Sequence, residues 1–265
     1  MISASTWAAG VPPWFPPPPA AEEAAEAGAE AWVPAVPVAG AVARGDGERD
    51  GEEPVPVGWA RAAAWRGGTV TTAGGAIDLS AAGAATLAVN TTFDTTNGGS
   101  SANGASIALG AVAGSSNNLT LNAGSAGAVT ASGALSNLAA LTLTNAASFT
   151  FAGAVGATTL ATAAQSYSVA LNGGATIGSA VTFQNTGGVT LVGADTFTGG
   201  LTSTAGATTL NGTVLTAGQA ISLGNLTLTG TSLLDATNGG GSAGANISTG
   251  TIDGGFGFTA TAGTG

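Results

Sequence analysis

From Thr69 onward the chain repeats short segments in which apolar and polar positions alternate: Leu119-Thr120-Leu121, Leu141-Thr142-Leu143, Val181-Thr182-Phe183, Val189-Thr190-Leu191 and Leu226-Thr227-Leu228. Gly, Asn, Ala and Ser fill the joints between them. A strand sends successive side chains to opposite faces, so the alternation places Leu119 and Leu121 inward and Thr120 outward. The joints supply residues that tolerate the positive φ of tight turns. Helix is the competing reading of the Ala-rich parts, but Gly and Thr are too dense and no 3.6-residue apolar period is sustained.

The segments return at a nearly constant distance. Leu119, Leu141, Leu160, Val181 and Leu201 follow one another at roughly 20 residues, a spacing typical of solenoid coils. Val129-Thr130-Ala131-Ser132-Gly133-Ala134-Leu135 aligns with Phe149-Thr150-Phe151-Ala152-Gly153-Ala154-Val155, one such period on. An all-β unit at this period predicts a parallel β-helix, and the crossover rule predicts a right-handed one. Ile77-Asp78-Leu79 and Leu87-Ala88-Val89 are the expected early strands, and residues 67–265 should hold roughly nine to ten coils. Phe149, Phe151 and Phe183 join Leu, Val, Ile and Ala in the expected core. Asn122, Asn145, Asn172, Asn211 and Asn225 at the joints read as turn residues, with Asn ladders between coils as the alternative.

A longer repeat overlies the short one. Asp94-Thr95-Thr96-Asn97-Gly98-Gly99 returns as Asp235-Ala236-Thr237-Asn238-Gly239-Gly240, close to seven coils further along. Duplication of a multi-coil block accounts for it.

Composition divides the chain near Gly67. All ten Pro, five Trp and four Arg of the 265 residues precede it. Residues 1–66 read as a mostly disordered Pro/Ala/Glu-rich segment, with polyproline II at residues 12–19 and a short helix at 20–32. After Gly67 the only charges are Asp78, Asp94, Asp195, Asp235 and Asp253. The net charge of −10 and the absence of any basic residue in the solenoid argue against nucleic acid and anionic membranes as partners. No apolar run is long enough for a membrane-spanning helix. Met1 to Gly10 lacks the basic region of a secretory signal. Together with repeat pattern continuing through Phe256-Gly257-Phe258-Thr259-Ala260-Thr261, this suggests a miscalled start or a piece of a longer chain with further coils.

The Leu-Thr-Leu-Asn-Ala-Gly run at 119–124, the Phe-Thr-Phe-Ala-Gly-Ala-Val run at 149–155 and the two Asp-x-Thr-Asn-Gly-Gly blocks resemble repeats of bacterial surface proteins. These are the filamentous-haemagglutinin-like and autotransporter-passenger β-helix adhesins, and the resemblance covers about residues 69–265. It implies a secreted or cell-surface adhesive module that acts in cell adhesion or biofilm formation by contacting host or bacterial surface molecules or glycans. The chain has no Asn-Pro secretion motif and no translocator barrel, and no family site residue transfers to it.

Specific chemistry has few candidates. The solenoid segment has no His, Cys or Lys, which removes the usual bases and nucleophile partners. An enzyme would need two of Asp195, Asp235 and Asp253 to converge, and the expectation is that the chain is not one. Asp94 and Asp235 offer too few ligands for calcium and read as Asx turns, so no metal or cofactor is expected. Arg44-Gly45-Asp46 spells an integrin-type tripeptide, set against a plain solvated linker. Thr-x-Thr pairs at 69/71, 142/144, 196/198, 227/229 and 259/261 suit ice or polysaccharide only if they form a regular array on one face; β-propensity is the simpler account.

Overall fold

Three short strands per turn carry the alternation into three dimensions. The computed structural model describes residues 68–264 and the backbone of two earlier strands, Ala41–Ala43 and Ala64–Trp65. The chain divides into two units, Met1–Pro34 and Ala35–Gly265, and everything described belongs to the second. The expected disorder over residues 1–66 and the helix at 20–32 lie outside the described residues. Among the described residues there is no helix.

Successive turns stack parallel and in register, forming a β-solenoid. On the first face, Leu119 pairs with Leu141 and Leu141 with Leu160, and further on Val181 pairs with Leu201 and Leu201 with Ile221. These are the residues whose spacing revealed the period. On the second face the row runs Ile107, Val129, Phe149, Val169, Val189. On the third it runs Val112, Leu135, Val155, Ala175, Asp195. Leu119 and Leu121 are fully buried, and Thr120 between them is half-buried. Each inward side chain rests on its counterpart one coil away, so burial depends on neighbouring coils rather than on any coil alone.

From Thr69 to Ile247 the chain completes eight turns and continues through two more faces. This is fewer than the nine to ten expected from an even division of the length. The difference lies in two excursions, residues 95–106 and 236–246, that leave the coil without adding strands. The expected strand Leu87-Ala88-Val89 is instead Ala85–Leu87, with Val89 turned outward and 42 % exposed. Leu87 is the last inward residue before the corner, so the apolar pair straddled a turn. Solenoid pairing also starts before residue 67. Ala41–Ala43 lies antiparallel on Thr69–Thr72, and Ala64–Trp65 parallel on Ala85–Leu87.

The first-face ladder is interrupted between Val155–Thr162 and Val181–Thr182, which begins a separate four-stranded sheet. The buried Thr162 hydroxyl bridges that gap, accepting from the Gln184 N–H at 2.8 Å and donating to the Thr182 carbonyl at 3.4 Å. Aromatic residues pack in the core near this level. Phe149 meets Tyr167 edge-on at 4.8 Å, and the Tyr167 hydroxyl donates to Leu143 O while accepting from Ala163 N–H. A buried polar group with both bonds made costs little.

The long repeat is more extensive than its Asp-x-Thr-Asn-Gly-Gly block. Thr69 to Ser80 matches Thr213 to Gly224 at eight of twelve positions. The strands that follow correspond in order, up to Leu119–Asn122 against Phe258–Thr261. The copy is displaced by one face. Thr69–Thr72 opens the first face, whereas its equivalent in Thr208–Leu215 lies on the third. The step from one copy to the next is therefore six turns and two-thirds, not the seven expected.

Close backbone stacking fixes the second corner. A Cβ on Gly153 would lie 2.4 Å from Gly133 C, and one on Gly173 would lie 2.4 Å from Gly153 C. The Gly133–Gly153–Gly173 column thus has no room for side chains between coils. Gly153→Ala should cost about 2–3 kcal/mol, as overpacking does. Gly255→Ala, where nothing lies within 4 Å, should be neutral. Denaturant midpoints of the two variants provide the comparison; equal midpoints would contradict the stacking.

Candidate functional site

The coil register collects outward threonines that look scattered in the sequence. On the first face Thr69 pairs with Thr92, Thr92 with Thr120, Thr120 with Thr142, and Thr142 with Ala161. Beyond the ladder gap the same outward position holds Thr182, Thr202, Ser222 and Ser248. One rank of hydroxyls therefore runs from Thr69 to Thr142 at about 4.8 Å per step and, past Ala161 and the ladder gap, a second runs from Thr182 to Ser248. The second face carries a shorter rank, Thr190, Thr209 and Thr227, with Thr130 and Thr150 beyond Ala170. β-branching leaves the threonines few rotamers, so their hydroxyls are held in place by the backbone.

The Thr-x-Thr pairs do not form the array that they would need. Thr69/Thr71 and Thr142/Thr144 lie on the first face, Thr227/Thr229 on the second, and Thr196/Thr198 and Thr259/Thr261 on the third. Single threonines stack, and pairs do not. Sequence reasoning followed the pairs and missed the rank. The coil period, applied to the polar middle residue of each triplet, carries that signal.

The two Asp-headed loops are near-copies built on one hydrogen-bond pattern. Asp94 Oδ1 accepts from Thr96 N–H at 2.7 Å and Thr96 Oγ1–H at 2.6 Å, and Oδ2 from Gly98 N–H at 3.0 Å. Asp235 repeats this with Thr237 at 2.7 and 2.6 Å and Gly239 at 2.8 Å. Asn97 and Asn238 adopt positive φ, as the turn requires. The carboxylates close turns, and their oxygens are already occupied by donors. Burial pulls the Asp235 carboxyl up, but its bonds to Thr237 and Gly239 outweigh it and hold the group below its ordinary range. Asn122 donates to Asp94 Oδ1 and Thr96 Oγ1 rather than to another Asn, and Asn225 accepts from Thr251 N–H. These bonds cross to the adjacent coil but not to another Asn, Asn122 also accepting from Gly124 N–H at 3.4 Å, and no continuous Asn ladder forms among the hydrogen bonds of the described residues.

Asp195 is different in kind. It occupies an inward position on the third face, between Ala175 and Val214 in the adjacent coils, and is fully buried. Neither carboxylate oxygen has a hydrogen-bond partner. Burial pushes its pKa up to about 7; the Ala175 N–H, short of a full hydrogen bond, pulls the other way and is outweighed. The solenoid segment has no basic residue to compensate a charge there. The three aspartates considered for catalysis do not converge. Asp195 points into the core, Asp235 is tied into its loop two coils further along, and Asp253 is exposed on the second face.

The described residues offer no group of three His, Cys, Asp or Glu placed to hold a metal ion. An apolar internal cavity of about 10 Å³ beside Leu87 and Phe93 is at the lower limit for one water. A shallow, open trough of about 330 Å³ lies on the third face over Gly156, rimmed by Asn137, Thr158 and Thr176. Among the described residues no helix is long and apolar enough to cross a membrane. Arg44, Gly45 and Asp46 lie outside the described residues. Compared with family models, curated proteins and solved structures, the chain gives no match.

Asp195 sets an unusual pH dependence. Its folded pKa of about 7 lies above the unfolded value near 3.9, so the folded state binds the extra proton between those limits. Stability is therefore full below about pH 4 and falls by about 1.4 kcal/mol per unit up to pH 7, on the order of 4 kcal/mol in all. Asp78 and Asp235, both shifted down, act in the opposite sense, only below the ordinary carboxylate range. The melting temperature should rise as pH drops from 7.5 to 5 (about two and a half units), and Asp195→Asn should flatten that rise. A wild-type melting temperature that is constant over this window, or an unchanged slope in the variant, contradicts the assignment.

Proposed function

We propose that this chain is a structural, adhesive solenoid module of a bacterial surface or secreted protein, which contacts cells or glycans through its polar faces. The observation that supports this reading is the pair of first-face ranks, Thr69 to Thr142 and Thr182 to Ser248. An uncharged row of fixed donors and acceptors suits a partner that is itself neutral and hydroxyl-rich, repeated and extended, such as a polysaccharide. Each contact is weak, and affinity comes from their number along one rigid axis. The resemblance to haemagglutinin-like and autotransporter-passenger repeats supports the same placement at a cell surface.

Binding to immobilised neutral polysaccharides and to whole bacterial cells tests the reading. Thr120→Lys combined with Thr202→Lys breaks each rank at one point and should reduce retention at least tenfold. As outward substitutions they should leave melting almost unchanged. Thr176→Lys on the third face serves as the control. The reading fails if wild type is retained by neither support, or if the control loses as much as the double variant.

The same ranks favour a second reading, in which ordered hydroxyls bind ice. It predicts thermal hysteresis and inhibited recrystallisation, both lost in the double variant. Ice growth at the unaltered freezing point would dismiss it and leave the first reading untouched.

A further inference from the structure

Two irregularities of the solenoid fall at the same joint. From Thr69 onward each coil pairs with the next on all three faces, with one exception among the described residues. Between the coil of residues 158–177 and the coil of residues 181–197 the first-face ladder is missing, and strands pair on the second and third faces alone. The second irregularity is unmet polarity. Among the described residues, the buried side-chain atoms that lack a hydrogen-bond partner are Asn185 Oδ1 and both carboxylate oxygens of Asp195, all in the coil of residues 181–197. Asp195 sits on the third-face ladder of this joint, opposite Ala175. The joint with the fewest strand pairings thus holds the groups that gain most from water.

Asp195 makes this joint sensitive to pH. The strands of its own coil carry no other titratable side chain, and those of the two adjacent coils, Val155–Thr162, Ser168–Leu171, Ala175–Ile177, Leu201–Ser203 and Thr208–Leu215, carry none. Tyr167, across the joint in the preceding coil, is bonded through its hydroxyl to Leu143 O and Ala163 N–H, and burial holds it above its ordinary range, so it stays neutral. Asp78, Asp94, Asp235 and Asp253 lie in other coils, and the chain has no histidine. Burial favours protonated Asp195 in the closed joint, and exposure to water favours its carboxylate, so a rise in pH pulls the joint open.

We propose that this joint is a proton-operated breakpoint of the solenoid. With Asp195 neutral the coils stack without interruption, and with Asp195 ionised the coil of residues 181–197 parts from the coil before it. Opening here gives up two strand pairings, whereas any other joint between described coils would lose three. The coils on either side keep their own stacking, since each is stabilised by its nearest neighbours. The opening equilibrium rises tenfold per pH unit while the closed joint holds the extra proton, and it levels off near pH 7. From about pH 5 upward that amounts to an increase on the order of 100-fold. A melting temperature registers this loss without locating it, and the breakpoint assigns it to one joint.

Hydrogen exchange of the full chain, read by mass spectrometry at about pH 5 and about pH 8 and corrected for the intrinsic effect of pH on exchange, tests this. Gly187 and Thr198 N–H donate across the joint to Tyr167 O and Ile177 O, whereas Ala123 and Leu135 N–H donate to Asn145 O and Ala154 O in earlier coils. Protection over residues 184–198 should fall on the order of 100-fold between the two conditions, and protection over residues 119–145 should stay about the same. Asp195→Asn should show equal protection at the joint under both conditions. So should Asp195→Val, which supplies the residue type that pairs with it at Val214. An equal fall along the whole solenoid, no fall at the joint, or a fall that persists in a folded variant overturns the proposal. The wild-type comparison decides by itself if neither variant folds. This outcome is independent of whether the polysaccharide reading holds.

Discussion

Everything in this structure depends on the in-register hydrogen-bonded stacking of one coil on the next. A strand of two to four residues has almost no stability of its own, and the three strands of a turn enclose too little apolar surface to fold alone. Register decides whether stacking succeeds: Leu119, Leu141 and Leu160 superpose only at their observed pairing. A slip of one residue would put Thr120 against Leu141 and turn the leucines outward. Length can change only where it leaves the ladder undisturbed. The excursions at 95–106 and 236–246 meet this condition because Asp94 and Asp235 close each loop on its own backbone. The loop then leaves and rejoins the coil, held as well by backbone bonds to the adjacent coils such as Thr95 N–H to Asn122 O and Ser125 N–H to Ala102 O.

The displaced repeat follows from the same constraint. A copy placed twenty strands further along a three-sided coil, six turns and two-thirds, cannot return to the face it came from, yet it fits. Each strand meets only a strand one coil before and one coil after, with apolar residues inward and a small or hydroxyl residue outward. Ile77 and Leu79 face the core on the second face, and their counterparts Ile221 and Leu223 face it equally well on the first. The faces are interchangeable at the level of inward packing. Interactions confined to nearest neighbours impose no requirement that a duplication span whole turns.

The sequence made the inward side of the molecule legible and the outward side much less so. Leucine recurrence gave the period, and the alternation gave the inward rows down to Phe149, Phe151 and Phe183. Two outward or exceptional features escaped. Threonine is favoured in strands for its own sake, so its presence carries little information until register shows which threonines are neighbours. Asp195 was legible in principle, because it lies one coil period after Ala175 and two positions before Phe197, both inward. The strand alternation and the coil period together fix its direction, against the usual preference of a carboxylate for the surface. The extent of the repeat was obscured for a related reason. Its most recognisable block is a loop, and the strand matches on either side are made of residues common throughout the chain.

Asp195 and the hydroxyl rank express one compositional fact in two environments. The solenoid segment has five acids and no base, so a carboxylate inside it has no partner to neutralise it and keeps its proton through the acidic range. On the outside the same lack of cations leaves long stretches of surface with neither sign of charge. Such a surface has no long-range field to steer a charged ligand toward it and loses little attraction as salt rises. On the proposed reading, recognition would then rest on short-range hydrogen bonds, each of which exchanges with water for a small net gain. The one resource a solenoid adds is repetition at a fixed spacing. A ligand with its own regular spacing gains from every step at the cost of a single docking event. This is the physical reason for expecting an extended, neutral partner on the first face rather than a compact one.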